Sequence, residues 1–226
     1  MQGKKFYVKA VTQAGYRKEF EMKSAFKLMM LMLCILIVPV FARIYHIPED
    51  LMNEVKANQA ALQLAPNSAD AHFELAMSYG YTGQIEKGWA ELKGIPHYDP
   101  QYAPKVIEKY GALTETSPKE WKNWFKLAFG YYFADQKDKA LECFQKVLDI
   151  DPKHIWAMGF MGLLEGERGN TDKGIEWSKK ALVIEPNATA IHFLLAEGYR
   201  RKGDYLKTLA QVLIVGRLKS EEALKR

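Results

Sequence analysis

The sequence predicts an all-α fold, a solenoid of stacked helical hairpins, and three observations carry that prediction. Apolar residues recur at helical spacing in paired stripes: Trp121, Trp124, Leu127, Ala128 and Tyr131, then Ala140, Phe144, Val147 and Leu148 beyond a polar turn at 135–138. Prolines close such pairs at a fixed interval, with 34 residues from Pro66 to Pro100 and again from Pro152 to Pro186. Two helices in so short a span cannot bury both of their apolar faces, so each pair requires a neighbour.

Residues 1–27 form a basic segment, with seven Lys/Arg against Glu19 and Glu21, and supply the whole net charge of +5. The rest of the chain is near neutral, so the basic balance does not point to nucleic acid. Residues 28–42, LMMLMLCILIVPVFA, carry no charge. The run is short for a spanning helix, which needs ~20 apolar residues, and has the length of a secretory apolar core. Pro39 would end that core and Ala42 offers a small residue for cleavage. A signal peptide cut after Ala42, a retained signal anchor and a buried core helix are all open readings. If Met22 is the true start, residues 22–42 have the size of a complete signal peptide. Basic residues before the run and few after it keep the N-terminus in the cytoplasm. Either export reading then places the repeats outside it, in a bacterial periplasm or cell envelope. Cys34 lies in the apolar run and Cys143 on a predicted helix, which excludes a scaffold of disulfides.

Residues 47–65 read as one amphipathic helix closed by Pro66, an unpaired half-unit that caps the array. In the unit from Ala69, Gly94 and Pro96 predict a second helix that stops near Gly94. Pro100 to Pro152 spans 52 residues, one unit plus 18. The surplus predicts an extra helix over 104–113, read as a degenerate unit that lost a helix in preference to an insert. Ser117, Pro118 and Glu120 form an expected capping box for the next helix. Units from Trp121, Ile155 and Thr189 complete about four. The helical domain thus spans 47–219, and residues 220–226 form a charged tail.

This pattern resembles the tetratricopeptide repeat (TPR): a bulky residue at position four, small residues at eight and twenty, Tyr at eleven and Pro at thirty-two. The unit from Trp121 carries Trp124, Leu127, Ala128, Tyr131, Ala140, Phe144 and Pro152; the unit from Ala69 carries Leu75, Ala76, Tyr79, Gly83, Gly88 and Pro100. The unit from Ile155 puts Glu165 where Tyr is usual, and the unit from Thr189 weakens at Thr208. The resemblance implies a right-handed superhelix with a concave groove lined by the first helix of each unit. Mapped onto this sequence, the protein-binding groove comprises Phe73, Met77 and Tyr81; Phe125, Phe129, Tyr132 and Phe133; Trp156 and Leu163; and Phe193, Glu197, Arg200 and Arg201. Repeats that clamp acidic chaperone tails carry Lys and Asn at positions five and nine. Here these positions include Phe73, Phe125, Phe129 and Phe193, which suits an extended apolar segment or an amphipathic helix. Phe129→Ala is then expected to weaken capture about thirtyfold with an unchanged melting temperature. The competing reading packs Phe125 and Phe129 against the capping or the extra helix.

No spacing supports catalysis, a metal or a cofactor. The sequence has no His-Glu-x-x-His, Cys-x-x-Cys, phosphate loop or nucleophile elbow. His72 and His192 share repeat position four, a packing site. Gly159, Gly162, Gly166 and Gly169 fall in helical phase, where glycine permits close helix approach. The expected function is a non-enzymatic protein-interaction module of the cell envelope, tethered to the membrane through 28–42 if that run is uncleaved. The alternative is an accessory subunit that docks a catalytic partner. Neither nucleic acid nor a small-molecule substrate is expected.

Overall fold

The computed structural model describes residues 47–224, which lie within one compact unit, Arg43–Arg226. The basic segment, the apolar run 28–42 and the last two residues of the tail lie outside the described residues. Within them the chain forms ten α-helices. These are α1 (Glu49–Leu64), α2 (Ala69–Tyr81), α3 (Ile85–Tyr98), α4 (Tyr102–Thr116), α5 (Trp121–Phe133), α6 (Lys137–Ile150), α7 (Ile155–Glu167), α8 (Thr171–Ile184), α9 (Thr189–Arg201) and α10 (Tyr205–Ala223). None is long and apolar enough to cross a membrane.

Helices α2/α3, α5/α6, α7/α8 and α9/α10 pair as the four expected hairpins. Each hairpin turns on one left-handed residue: Gly83, Asp135, Gly169 and Gly203. The amide three residues beyond the first helix caps it in every case, Gln84, Gln136, Asn170 and Asp204 donating to Tyr79, Tyr131, Glu165 and Tyr199 carbonyls at 2.8–3.0 Å. Asp135 can take the glycine's place because a short polar side chain tolerates this conformation.

Small residues set the approach of the paired helices. A Cβ on Gly88 would lie 3.1 Å from the Ala76 carbonyl oxygen, and one on Gly174 2.7 Å from that of Gly162. Ala140 occupies the corresponding place in the second hairpin and is fully buried. Ala140→Leu is expected to cost ~1–3 kcal/mol by overpacking, read as a lower denaturant midpoint; an unchanged midpoint would mean the register is wrong.

Three local expectations are corrected. Ser117 closes α4, its amide donating to the Leu113 carbonyl at 2.9 Å, and α5 begins only at Trp121. The cap of α5 is Glu120, whose side chain accepts from the Lys122 amide at 3.3 Å, so there is no Ser117 capping box. Helix α3 also runs through Gly94 and Pro96 to Tyr98. The gain is tertiary: Ile95 is buried and Tyr98 stacks on His72 at 4.7 Å, which offsets one hydrogen bond lost to proline in the last turn.

Helix α4 starts two residues before the expected span and ends three after it. It is the second helix of a unit that lacks its first. Counted back from Pro118 in the repeat frame, Ile107 falls at position twenty-one, as Ile175 does in α8. Ile107, with its neighbour Val106, meets Gly130 of α5, and Ile175 meets Gly198 of α9, each glycine at position ten of the following unit. The same large-on-glycine contact thus joins α4 to α5 and α8 to α9.

Candidate protein-binding groove

The first unit folds onto the second and third. A Cβ on Gly83 would lie 2.4 Å from the Trp156 ring, two units away. Tyr81 meets Trp121 and Phe125 edge-on at 5.3 and 5.6 Å. Trp89 of α3 approaches Phe129 and Tyr132. Phe125, Phe129, Phe144 and Phe160 then form one aromatic cluster with centroids 4.8–5.9 Å apart.

The expected open aromatic stripe is therefore corrected at six of its positions. Phe73, Met77, Tyr81, Phe125, Phe129 and Trp156 are buried, with Phe73 and Phe125 wholly without exposure. Phe73 is covered by Tyr102 and Tyr110 of α4, a cover that the competing reading had assigned to Phe125 and Phe129. Phe125 and Phe129 are covered mainly by α6, α7 and the first hairpin.

Charged residues clasp the filled groove. Lys122 donates to Glu54 of α1 at 2.6 Å, and Tyr81 donates to the same carboxylate. Glu74 accepts from Lys126 at 2.7 Å, from Lys109 at 3.2 Å and from the Tyr110 hydroxyl. Burial alone would raise the Glu74 carboxyl; the cations and hydroxyl around it outweigh burial and hold it below the usual carboxylate range. Asp70 accepts from Tyr102 at 2.5 Å. Polar groups that line open grooves in the repeat pattern are here consumed by the fold.

The histidines serve packing as well. His72 Nε2 donates to the Pro66 carbonyl at 3.0 Å and Nδ1 lies 2.7 Å from Glu91. His192 repeats the arrangement with Pro186 at 2.8 Å and Gln211 at 2.7 Å. Trp124, at the same repeat position, donates to the Pro118 carbonyl at 2.9 Å. His154 has a role that the sequence reading missed. It precedes α7, and its Nδ1 accepts from the Ala157 amide at 3.1 Å. Its ring sits against Trp121 and Phe125. Burial pushes its pKa down to about 4, against a smaller opposing pull from Asp151.

Other concave positions stay open, at the end of α5 and along α7 and α9. Phe133 is 41% and Phe193 64% exposed, and Leu163 is half-buried. Glu197 accepts from Arg200 at 2.6 Å and Arg201 at 2.8 Å, which holds its carboxyl down to about 2. Arg201 also donates to the Gly166 carbonyl at 2.7 Å, bridging the last two units. Tyr132 donates to Glu167 at 3.1 Å, and burial pushes its phenol up to about 12. Among the described residues no group of His, Cys, Asp and Glu has the geometry to hold a metal.

Comparisons with known proteins agree with this architecture. A family model described as tetratricopeptide repeat matches residues 121–154, the α5/α6 hairpin with its following turn. The TPR repeat-containing protein MJ1428 of Methanocaldococcus jannaschii is 31% identical over 77 residues, covering 34% of this chain and 14% of that protein. The BBSome complex member BBS4 of Bos taurus is 24% identical over 175 residues, covering 77% and 30%. The chain thus spans less than a third of the length of either relative. Two solved structures of MamA share the fold. One aligns with TM-score 0.50 and 17% identity over 77% of this chain and 86% of that one. The other, a double mutant of MamA RS-1, aligns with TM-score 0.51 and 14% identity over 76% and 86%.

Proposed function

From a chain that carries a tetratricopeptide repeat within an all-helical solenoid, we propose a non-enzymatic protein-binding scaffold of the cell envelope. Residues 28–42 serve as its signal peptide or anchor, and its repeats lie outside the cytoplasm. The observation that carries the binding reading is the asymmetry of the concave face: filled at Phe73, Met77, Tyr81, Phe125, Phe129 and Trp156, open around Phe133, Leu163, Phe193, Arg200 and Arg201. An apolar strip rimmed by arginines suits an amphipathic helix of a partner whose acidic edge meets the rim. The relative named as a member of a complex accords with a scaffold role.

Phe193→Ala is expected to weaken partner capture about thirtyfold, the effect of removing an anchor worth ~2 kcal/mol. The melting temperature should stay nearly unchanged, because the ring is mostly exposed. Capture that survives Phe193→Ala together with Arg200→Ala would sink this site. For the envelope assignment, a reporter active only outside the cytoplasm is expected to work when fused after Arg226. N-terminal sequencing then separates a chain starting at Arg43 from an uncut, tethered one.

A further inference from the structure

The two ends of the array are built differently. Solenoids normally close each end with a polar outer face. The N-terminal end does so in part: α1 turns Glu49, Asp50, Asn53, Lys56 and Gln63 outward, beside exposed Ala57, Ala60, Ala61 and Leu64. The C-terminal end does not. Tyr205, Leu206, Leu209, Val212 and Leu213 run along one side of α10 and are between 50% and 83% exposed. Leu209 stands at repeat position twenty-one, where Ile175 of α8 receives Gly198 of α9. The exposed side of α10 is therefore the surface on which each earlier unit seats its successor.

We propose that this surface pairs with a second copy of itself, α10 against α10 in antiparallel orientation about a two-fold axis. The helix face is self-complementary in size. Its first half is bulky, and its second half continues along the same line as Gly216, Ser220 and Ala223. Antiparallel pairing centred between residues 214 and 215 sets Leu213 on the partner copy's glycine at 216, Leu209 on its Ser220 and Leu206 on its Ala223. This repeats between chains the large-on-glycine packing that joins units within the chain. The charged residues nearest this line, Arg217 and Lys219, flank it at the rim of the contact and are already paired with Glu221 and Glu86. Head-to-tail stacking is disfavoured, since it would lay part of the apolar stripe on Glu49, Asp50, Asn53 and Lys56 of α1. At ~200 Å² per large apolar side chain, the five exposed residues offer roughly 650 Å² per copy, enough for the lower range of standard interfaces.

The test uses the full chain in density-matched detergent and reads mass by sedimentation equilibrium. The wild type is expected at twice 25.9 kDa. Gly216→Leu should give a monomer of unchanged helicity, because a side chain there meets nothing within 4 Å in the single chain. Adding Leu213→Ala to Gly216→Leu should restore the dimer by exchanging the large and small partners. A monomeric wild type overturns the proposal, as would a result in which α10 is covered by residues 28–42 or by another protein. A dimer indifferent to Gly216→Leu, or a monomeric variant that Leu213→Ala fails to rescue, overturns the pairing.

Discussion

Phe129→Ala is expected to lower the free energy of unfolding by ~3–5 kcal/mol, the usual penalty for emptying a large aromatic site in a core. The ring is 3% exposed and touches Trp89, Phe144 and Phe160, which come from three different helices. Those neighbours are held by other contacts, so the cavity cannot collapse freely. Chemical denaturation of the variant would show a reduced midpoint. Partner capture by the fraction that remains folded should be unaffected, the reverse of what an open groove would give. Phe193→Ala, on the same repeat groove but exposed, should show the opposite pattern. The pair of variants separates structural from recognition aromatics.

A second large effect is expected in acid, through His154. The unfolded chain takes up a proton on this imidazole near its ordinary pKa of ~6.5. The folded chain resists until about 4, because the ring is buried and its Nδ1 already accepts the Ala157 amide. The contribution is thus fully present above ~6.5 and is lost as pH falls through the window down to about 4. Below that both states bind the proton and the loss stops. At ~1.4 kcal/mol per unit the total is on the order of 3 kcal/mol. His154→Asn keeps a capping acceptor and removes the titration. Its unfolding free energy should therefore fall less steeply than the wild type's between pH 6.5 and 4. Parallel slopes would show that acid sensitivity arises from carboxylates alone.

What could be read from the sequence was what is local or periodic. Pro66, Pro100, Pro152 and Pro186, the left-handed turn residues, and Ala76, Ala128 and Ala140 at close helix contacts act within one hairpin, and they place the hairpins within a residue or two. The fate of the groove depends instead on contacts such as Gly83 with Trp156, set by the pitch of the whole array. Position five is concave in Phe125 and in Phe193 alike, yet only the former is covered, because the first unit folds back on it. The surplus of 18 residues did signal an irregular unit. That α4 would plug the first groove with Tyr102 and Tyr110 was not visible from spacing. His154 escaped notice because capping is ordinarily done by Ser, Thr, Asp or Asn, and the ring does so only where it is dehydrated.

Hydroxyl-radical footprinting of the unmodified full chain tests the central claim, that the groove is filled at Phe73, Phe125 and Phe129 and open at Phe193. It reads side-chain exposure without a substitution that could unfold the protein. Phe193, Tyr205 and Leu206 are expected to oxidise at least about tenfold faster than Phe73, Phe125 and Phe129 at low protein concentration, where α10 is unpaired. Comparable oxidation of Phe125 and Phe193 would contradict the account, and would restore the continuous aromatic groove that the repeat pattern alone suggests.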